Sequence, residues 1–202
     1  IPVEIILSTG MATLSEIEEA VATIYSANPA VTLTLLRCSS AYPAPASSMN
    51  LRAIQTLIER FKVPVGLSDH STDDAMAVCA VGLGATVFEK HIRLENGPST
   101  PDDAFSLTPD QFAGWAAAIH RAKDAMGDGE CKPSPEELVT LPFRRSLFTV
   151  KAIRAGEPFT RENIRSIRPA TGLHPREYEK LLGRRASCDI PEATPLSWDL
   201  VE

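Results

Sequence analysis

The chain is expected to fold as an α/β protein, a parallel sheet covered by helices, followed by a small mixed domain. Three observations lead there. Short apolar runs without polar alternation recur, each followed by a segment of helical period, at a spacing of about 30 residues. Polar, chemically capable residues sit just past the end of each run, where ligands bind in open α/β sheets and (β/α)8 barrels alike. Near residue 127 the texture changes to Gly, Pro and charge, and short turn-punctuated elements follow.

Taken in order, Val3–Leu7 is a β-branched apolar run broken by Ser8-Thr9-Gly10. Ser15–Ala27 has helical periodicity in Ile17, Ala20, Val21 and Ile24, with acidic first turns. Val31–Arg37 reads as a second strand ending at Cys38-Ser39-Ser40, and Leu51–Phe61 as an amphipathic helix. Val63–Leu67 is a third strand ending at Ser68-Asp69-His70, followed by an Ala-rich helix over Asp73–Leu83. Ala85–Glu89 is a fourth strand ending at Lys90-His91, and Pro109–Met126 a long helix. Beyond these, Gly127–Pro142 reads as a linker. Ser146–Ala152 reads as a strand, Arg161–Ile164 as a short helix and Pro175–Leu182 as another. This gives domains at 1–126 and 144–202 with a linker at 127–143. Because Ile1-Pro2-Val3 enters a strand without preamble, the chain is expected to be the later part of a longer protein.

Composition narrows the function. The 202 residues are 44% hydrophobic with a formal net charge of −6, and no basic run points to nucleic acid. No apolar stretch approaches the ~20 residues of a membrane span. Cys38, Cys79, Cys131 and Cys188 are scattered without CxxC spacing, which fits a reducing cytoplasm and suggests that each is a small buried apolar residue.

His70 and His91 end consecutive strands. Neighbouring parallel strands lie ~4.8 Å apart, so the two imidazoles can converge on one borderline divalent ion, with Asp69 and Glu89 available to orient them; two unrelated loop histidines are the alternative. Ser8-Thr9-Gly10 and Ser39-Ser40 can hold a phosphate or carboxylate, or simply cap helices. Tyr42 sits on a stiff Tyr-Pro-Ala-Pro loop that can present its hydroxyl or pack on the surface. Asp102, beside Asp103, can grip sugar hydroxyls or be a solvated acid. His120, His174, Glu130, Glu136 and Glu137 read as structural or solvated.

Together, Ser8-Thr9-Gly10-Met11, Cys38-Ser39-Ser40-Ala41-Tyr42-Pro43, Gly66-Leu67-Ser68-Asp69-His70 and Glu89-Lys90-His91 resemble, in order and spacing, the sialic acid synthases. Arg144-Arg145-Ser146-Leu147 and the segment from Ile167-Arg168-Pro169 through His174-Pro175 are similar to that family's antifreeze-like (SAF, β-clip) domain. The resemblance implies the C-terminal half of a (β/α)8 TIM barrel followed by that domain. It implies metal-dependent condensation of phosphoenolpyruvate with an acetamido sugar. His70 and His91 match ligands of Mn2+, with Mg2+ or Co2+ as alternatives. Ser8, Ser40 and Ser68 match phosphoenolpyruvate contacts, although neuraminate-forming members carry Asn at the position of Ser40. Tyr42 and Asp102 match sugar contacts, and His70, His91, Tyr42 and Asp102 together form the implied catalytic set. Arg168 matches an arginine that reaches a partner's active site, implying a cytoplasmic homodimer with swapped SAF domains. Thr100–Ser106, Arg-Ser-Leu-Phe and Arg-Pro-x-x-Gly-Leu-His-Pro resemble the branch that makes pseudaminic acid from 2,4-diacetamido-2,4,6-trideoxy-altrose. N-acetylneuraminate or legionaminate synthesis is the alternative, and a different aldolase-like barrel or a non-catalytic carbohydrate-binding module are further ones. A catalytic Glu and phosphate-binding lysines of the family have no match here, so the chain is expected to be incomplete for catalysis alone.

Overall fold

The computed structural model describes residues 3–95 and 97–202, so the expected strand entry at Ile1 and Pro2 lies outside the described residues. By its internal contacts the chain divides into two units between Glu130 and Cys131.

The first unit is half of a barrel. Strands β1 (Glu4–Ser8), β2 (Thr32–Cys38), β3 (Val65–Asp69) and β4 (Phe88–Lys90) form one sheet in sequence order. Every pairing is parallel, with registers Leu7↔Leu35, Leu35↔Val65 and Leu67↔Phe88. Helices α1 (Leu14–Ala27), α2 (Ala53–Phe61), α3 (Ala75–Gly82) and α4 (Pro109–Ala125) follow the strands in turn. Side chains alternate across a strand. One face carries Leu33, Leu35, Val65 and Leu67, which pack with Ile17 and Val21 of α1, Ile54 and Leu57 of α2 and Ala80 of α3. The other face carries Ser8, Cys38, Ser68 and Glu89 at the strand ends.

Local chemistry sets the element limits. Thr13 and Glu16 form a capping box at the start of α1, and Thr108 and Gln111 form one at the start of α4, where Pro109 occupies the first turn. Helix α3 begins two residues later than its apolar pattern suggests, because Asp73 turns its carboxylate back to accept a hydrogen bond from the Ala75 amide at 2.9 Å. Strand β1 is an edge strand, and its Ile6 is 51% exposed rather than enclosed. At Gly66 a Cβ would lie 2.1 Å from the Val87 carbonyl oxygen, so only glycine lets β3 and β4 close up beneath the site.

The second unit has its own core of Leu147, Ile153, Phe159, Ile164, Leu181, Ala186, Ile190 and Leu196. Antiparallel β5 (Ser146–Thr149) and β6 (Ile164–Ile167) cross it, and the single-turn α6 (Tyr178–Leu181) packs on it. Two expectations are corrected here. The linker is not featureless: Ser134 and Glu137 cap a short helix, α5 (Pro135–Leu138). Arg161–Ile164 is not a helix. Thr160 and Asn163 bond each other's turn, Thr160 N donating to Asn163 Oδ1 at 2.7 Å, and Ile164 already belongs to β6. The cysteines are corrected too: Cys38 is buried, but Cys79, Cys131 and Cys188 are exposed free thiols. Among the described residues no helix is long and apolar enough to cross a membrane.

Candidate active site at the strand tips

Strands β3 and β4 end in register at Asp69↔Lys90, so the next residues, His70 and His91, emerge side by side. Their ring centroids are 5.0 Å apart and the rings are inclined by 62°. His70 is buried, and its Nδ1 lies 3.0 Å from the Ser39 carbonyl oxygen. A carbonyl only accepts, so Nδ1 carries the proton and the Nε2 lone pair is left for another partner. His91 Nδ1 stands 3.5 Å from Asp102 Oδ2, an arrangement that likewise leaves Nε2 free.

Two imidazoles, each with one nitrogen engaged and the other unengaged, are a donor type that suits a borderline divalent ion. No group of three or more His, Cys, Asp and Glu side chains among the described residues is placed to hold a metal. From the described residues, an ion here would take two imidazole nitrogens.

Contrary to the sequence expectation, neither Asp69 nor Glu89 orients a histidine by direct contact. They face opposite sides of the sheet: Asp69 pairs with Lys90 at 3.0 Å on the helix-covered side, and Glu89 accepts a 2.6 Å hydrogen bond from Ser68 Oγ on the other. The carboxylate beside an imidazole is instead Asp102, supplied by the loop after β4. Both ends of that loop are pinned, Leu107 N donating to His91 O and Arg93 N to Leu107 O, each at 2.9 Å. Within it Asp103 holds Thr100 through the backbone amide and the hydroxyl. These two bonds, the hydroxyl first, lower the Asp103 carboxyl below the usual Asp range. Asp103 therefore shapes the loop while Asp102 faces His91.

Tyr42 joins the cluster through a loop fastened by Ala44 N donating to His70 O at 2.9 Å; the Tyr42–Pro43 peptide is cis. Its ring lies 4.4 Å from His70 and 5.2 Å from Phe105, and Phe105 lies 4.9 Å from His91. Phe105 escaped the sequence reading. A lone apolar residue in a polar loop has no period to reveal it, and only its burial identifies it as a wall of the site. Cys38 was also missed; its Sγ is 3.8 Å from His70 Nδ1.

The serines divide. Ser68 is buried in the same row as Cys38 and Glu89. Ser40 lies against Gly10, whose missing side chain makes room: a Cβ there would come within 2.3 Å of Ser40 Oγ. Ser8 is exposed at the end of β1, opposite Leu36, which is one row lower than Ser68. Its neighbour Thr9 is turned in and donates to the Leu36 carbonyl at 2.8 Å. Arg168 belongs to the second unit, exposed after β6. A cleft of about 220 Å3 adjoins the cluster, lined by His91, Arg93, Asp102, Asp103 and Ser106. A larger one, about 470 Å3, lies between α3, β4 and α4; its lining is mostly apolar, Val81, Phe88, Phe112, Trp115 and Ile119 among it, with Thr86, His120 and Lys123 as its polar members.

Comparison with known proteins gives a consistent outcome. Residues 2–131 match the NeuB family and residues 144–202 the SAF domain. The chain is 43% identical over 185 residues to the pseudaminic acid synthase of Campylobacter jejuni, covering 92% of this chain and 54% of that protein. It is 42% identical over 192 residues to the N,N'-diacetyllegionaminic acid synthase of the same species, covering 94% and 57%. The solved structure of the spore coat polysaccharide biosynthesis protein SpsE of Bacillus subtilis superposes with a TM-score of 0.56 at 32% identity, covering 98% of this chain and 60% of that one. The chain thus spans about half the length of the curated relatives it matches.

Proposed function

The chain belongs to the NeuB family, and on that premise we propose that it forms part of a phosphoenolpyruvate-dependent nonulosonic acid synthase, with pseudaminic acid as the favoured product. The observation that carries this reading is the pair of imidazoles 5.0 Å apart, walled by Tyr42, Phe105 and Asp102. In this reading His70 and His91 hold a divalent ion, Mn2+ or else Mg2+ or Co2+, which supplies Lewis acidity toward the aldehyde oxygen of an open-chain sugar.

The reaction joins C3 of phosphoenolpyruvate to the aldehyde carbon. Water adds at C2, and the C2–O bond to phosphate breaks, so that a nine-carbon 2-keto acid and inorganic phosphate leave. The Ser39 carbonyl holds the His70 tautomer. Asp102 accepts from a sugar hydroxyl while flanking His91, and the Tyr42 hydroxyl faces the sugar. Phe105 gives the imidazoles an apolar wall on one side. Ser68, Ser40 and Ser8 are assigned to the phosphoenolpyruvate end, and much of the rate gain comes from holding two reactants in register. Arg168, delivered by a partner subunit in a swapped homodimer, is assigned to the sugar's acetamido group. The same reading puts the enzyme in the cytoplasm, where the thiol beside His70 stays reduced.

A substrate panel on the full-length protein tests this. Phosphate release is expected with 2,4-diacetamido-2,4,6-trideoxy-altrose and not with N-acetylmannosamine, and 18O in the bridging position should depart with phosphate. Robust turnover of N-acetylmannosamine would overturn the pseudaminate assignment. Legionaminate synthesis is the second reading, because the two Campylobacter relatives differ from this chain by nearly the same amount. Preference for the legionaminate precursor would select it. Arg168→Ala should raise KM for the sugar about tenfold or more, and an unchanged KM would remove the swapped-domain role.

A further inference from the structure

Two charged side chains that the proposed chemistry leaves unused are wholly enclosed. Asp69 and Lys90 have no exposed side-chain surface, and Lys90 Nζ lies 3.0 Å from Asp69 Oδ2. They are the residues immediately before His70 and His91. By alternation they point to the helix-covered face while the imidazoles point away from it. Both also grip one peptide segment: Ser71 N donates to Asp69 Oδ1 at 2.9 Å, and Lys90 Nζ donates to the Ser71 carbonyl.

Their position explains what such a pair can do. Asp69↔Lys90 is the last rung of the β3–β4 ladder, and β4 is only three residues long. Few backbone bonds join this seam, Thr86 N to Val65 O and Leu67 N to Val87 O among them, and a slip of β4 by one residue would turn the His91 imidazole to the other face. A buried ion pair adds little net stability over an apolar pair of equal volume, since desolvation offsets attraction, but it does single out one register.

We propose that Asp69 and Lys90 are positioning residues, and that their ion pair, clamped on the Ser71 backbone, fixes the spacing and inclination of the His70 and His91 imidazoles. This deepens the proposed function and rests on its reading of those imidazoles as ligands of one ion. The geometric statement nevertheless holds for the metal-free protein.

The test is the double variant Asp69→Leu/Lys90→Met in the full-length protein, with calorimetry to establish folding. Two readouts follow: the NOE between His70 and His91 ring protons without metal, and Mn2+ affinity by EPR titration. The expected result is a folded protein with a melting temperature close to the parent's, a lost or strongly weakened NOE, and Mn2+ affinity lower by ~10- to 100-fold. An unchanged NOE and affinity in the folded variant overturns the proposal. If the double variant fails to fold, Asp69→Asn, which keeps an acceptor for Ser71 N, carries the same two readouts. Loss of folding in both variants also overturns it, in favour of a purely structural pair. Failure of the parent protein to bind Mn2+ would sink the metal reading, while the NOE comparison still decides the positioning.

Discussion

Asp102 and Asp103 are adjacent in the chain and divide the labour of one loop. Asp102 flanks His91, whereas Asp103 is spent on Thr100, and its hydrogen bonds lower its carboxyl. A carboxyl lowered on folding contributes stability that is present above its unfolded value, ~3.9, and lost as pH falls through its folded value. Amide exchange across residues 98–106 is therefore expected to accelerate selectively below about pH 4, and Asp103→Asn should show that acceleration already at pH 7. Gly66 is a different kind of single-residue dependence. Its Cβ-to-be would meet a backbone oxygen, which cannot swing aside, so Gly66→Ala is expected to cost about 3 kcal/mol or more in urea unfolding. At this scale the histidines were legible because each closes an apolar run, and the run ends are where parallel sheets expose side chains. The orienting groups were not: which carboxylate sits beside His91 depends on a loop folding back from eleven residues onward, and sequence adjacency pointed to Asp69 and Glu89 instead.

Two of the four helices of the first unit, α1 and α4, are fixed at their starts by side chains. Thr13 with Glu16 and Thr108 with Gln111 are reciprocal caps, each satisfying amides that the helix leaves without partners. Thr108→Ala is expected to cost about 1 kcal/mol, read as a lower urea midpoint at unchanged slope. Because Leu107, next to this cap, pins the Asp102 loop, the same variant should also weaken sugar binding. Elements of the second unit were harder to read. Their lengths of four residues hold barely one period, so apolar spacing cannot separate strand from helix there. The misassigned helix at Arg161–Ile164 was decided by side chains of Thr160 and Asn163 competing for the backbone.

At the scale of the molecule, each unit closes its own apolar core, one under the parallel sheet and one around Leu147, Phe159 and Leu196. Residues 131–202 expressed alone should therefore unfold cooperatively in calorimetry, and a gradual, featureless transition would count against an independent core. The architecture was readable in advance because βα alternation is a long-range signal repeated four times. The site was readable only in part, since its walls come from connections rather than strands. The two-imidazole donor set has a consequence of its own. Two nitrogens alone impose no coordination number and select no ionic radius, so an ion held on His70 and His91 by this chain's described residues alone would exchange quickly. Preparations of this chain grown in different media would then carry different metals on the same polypeptide.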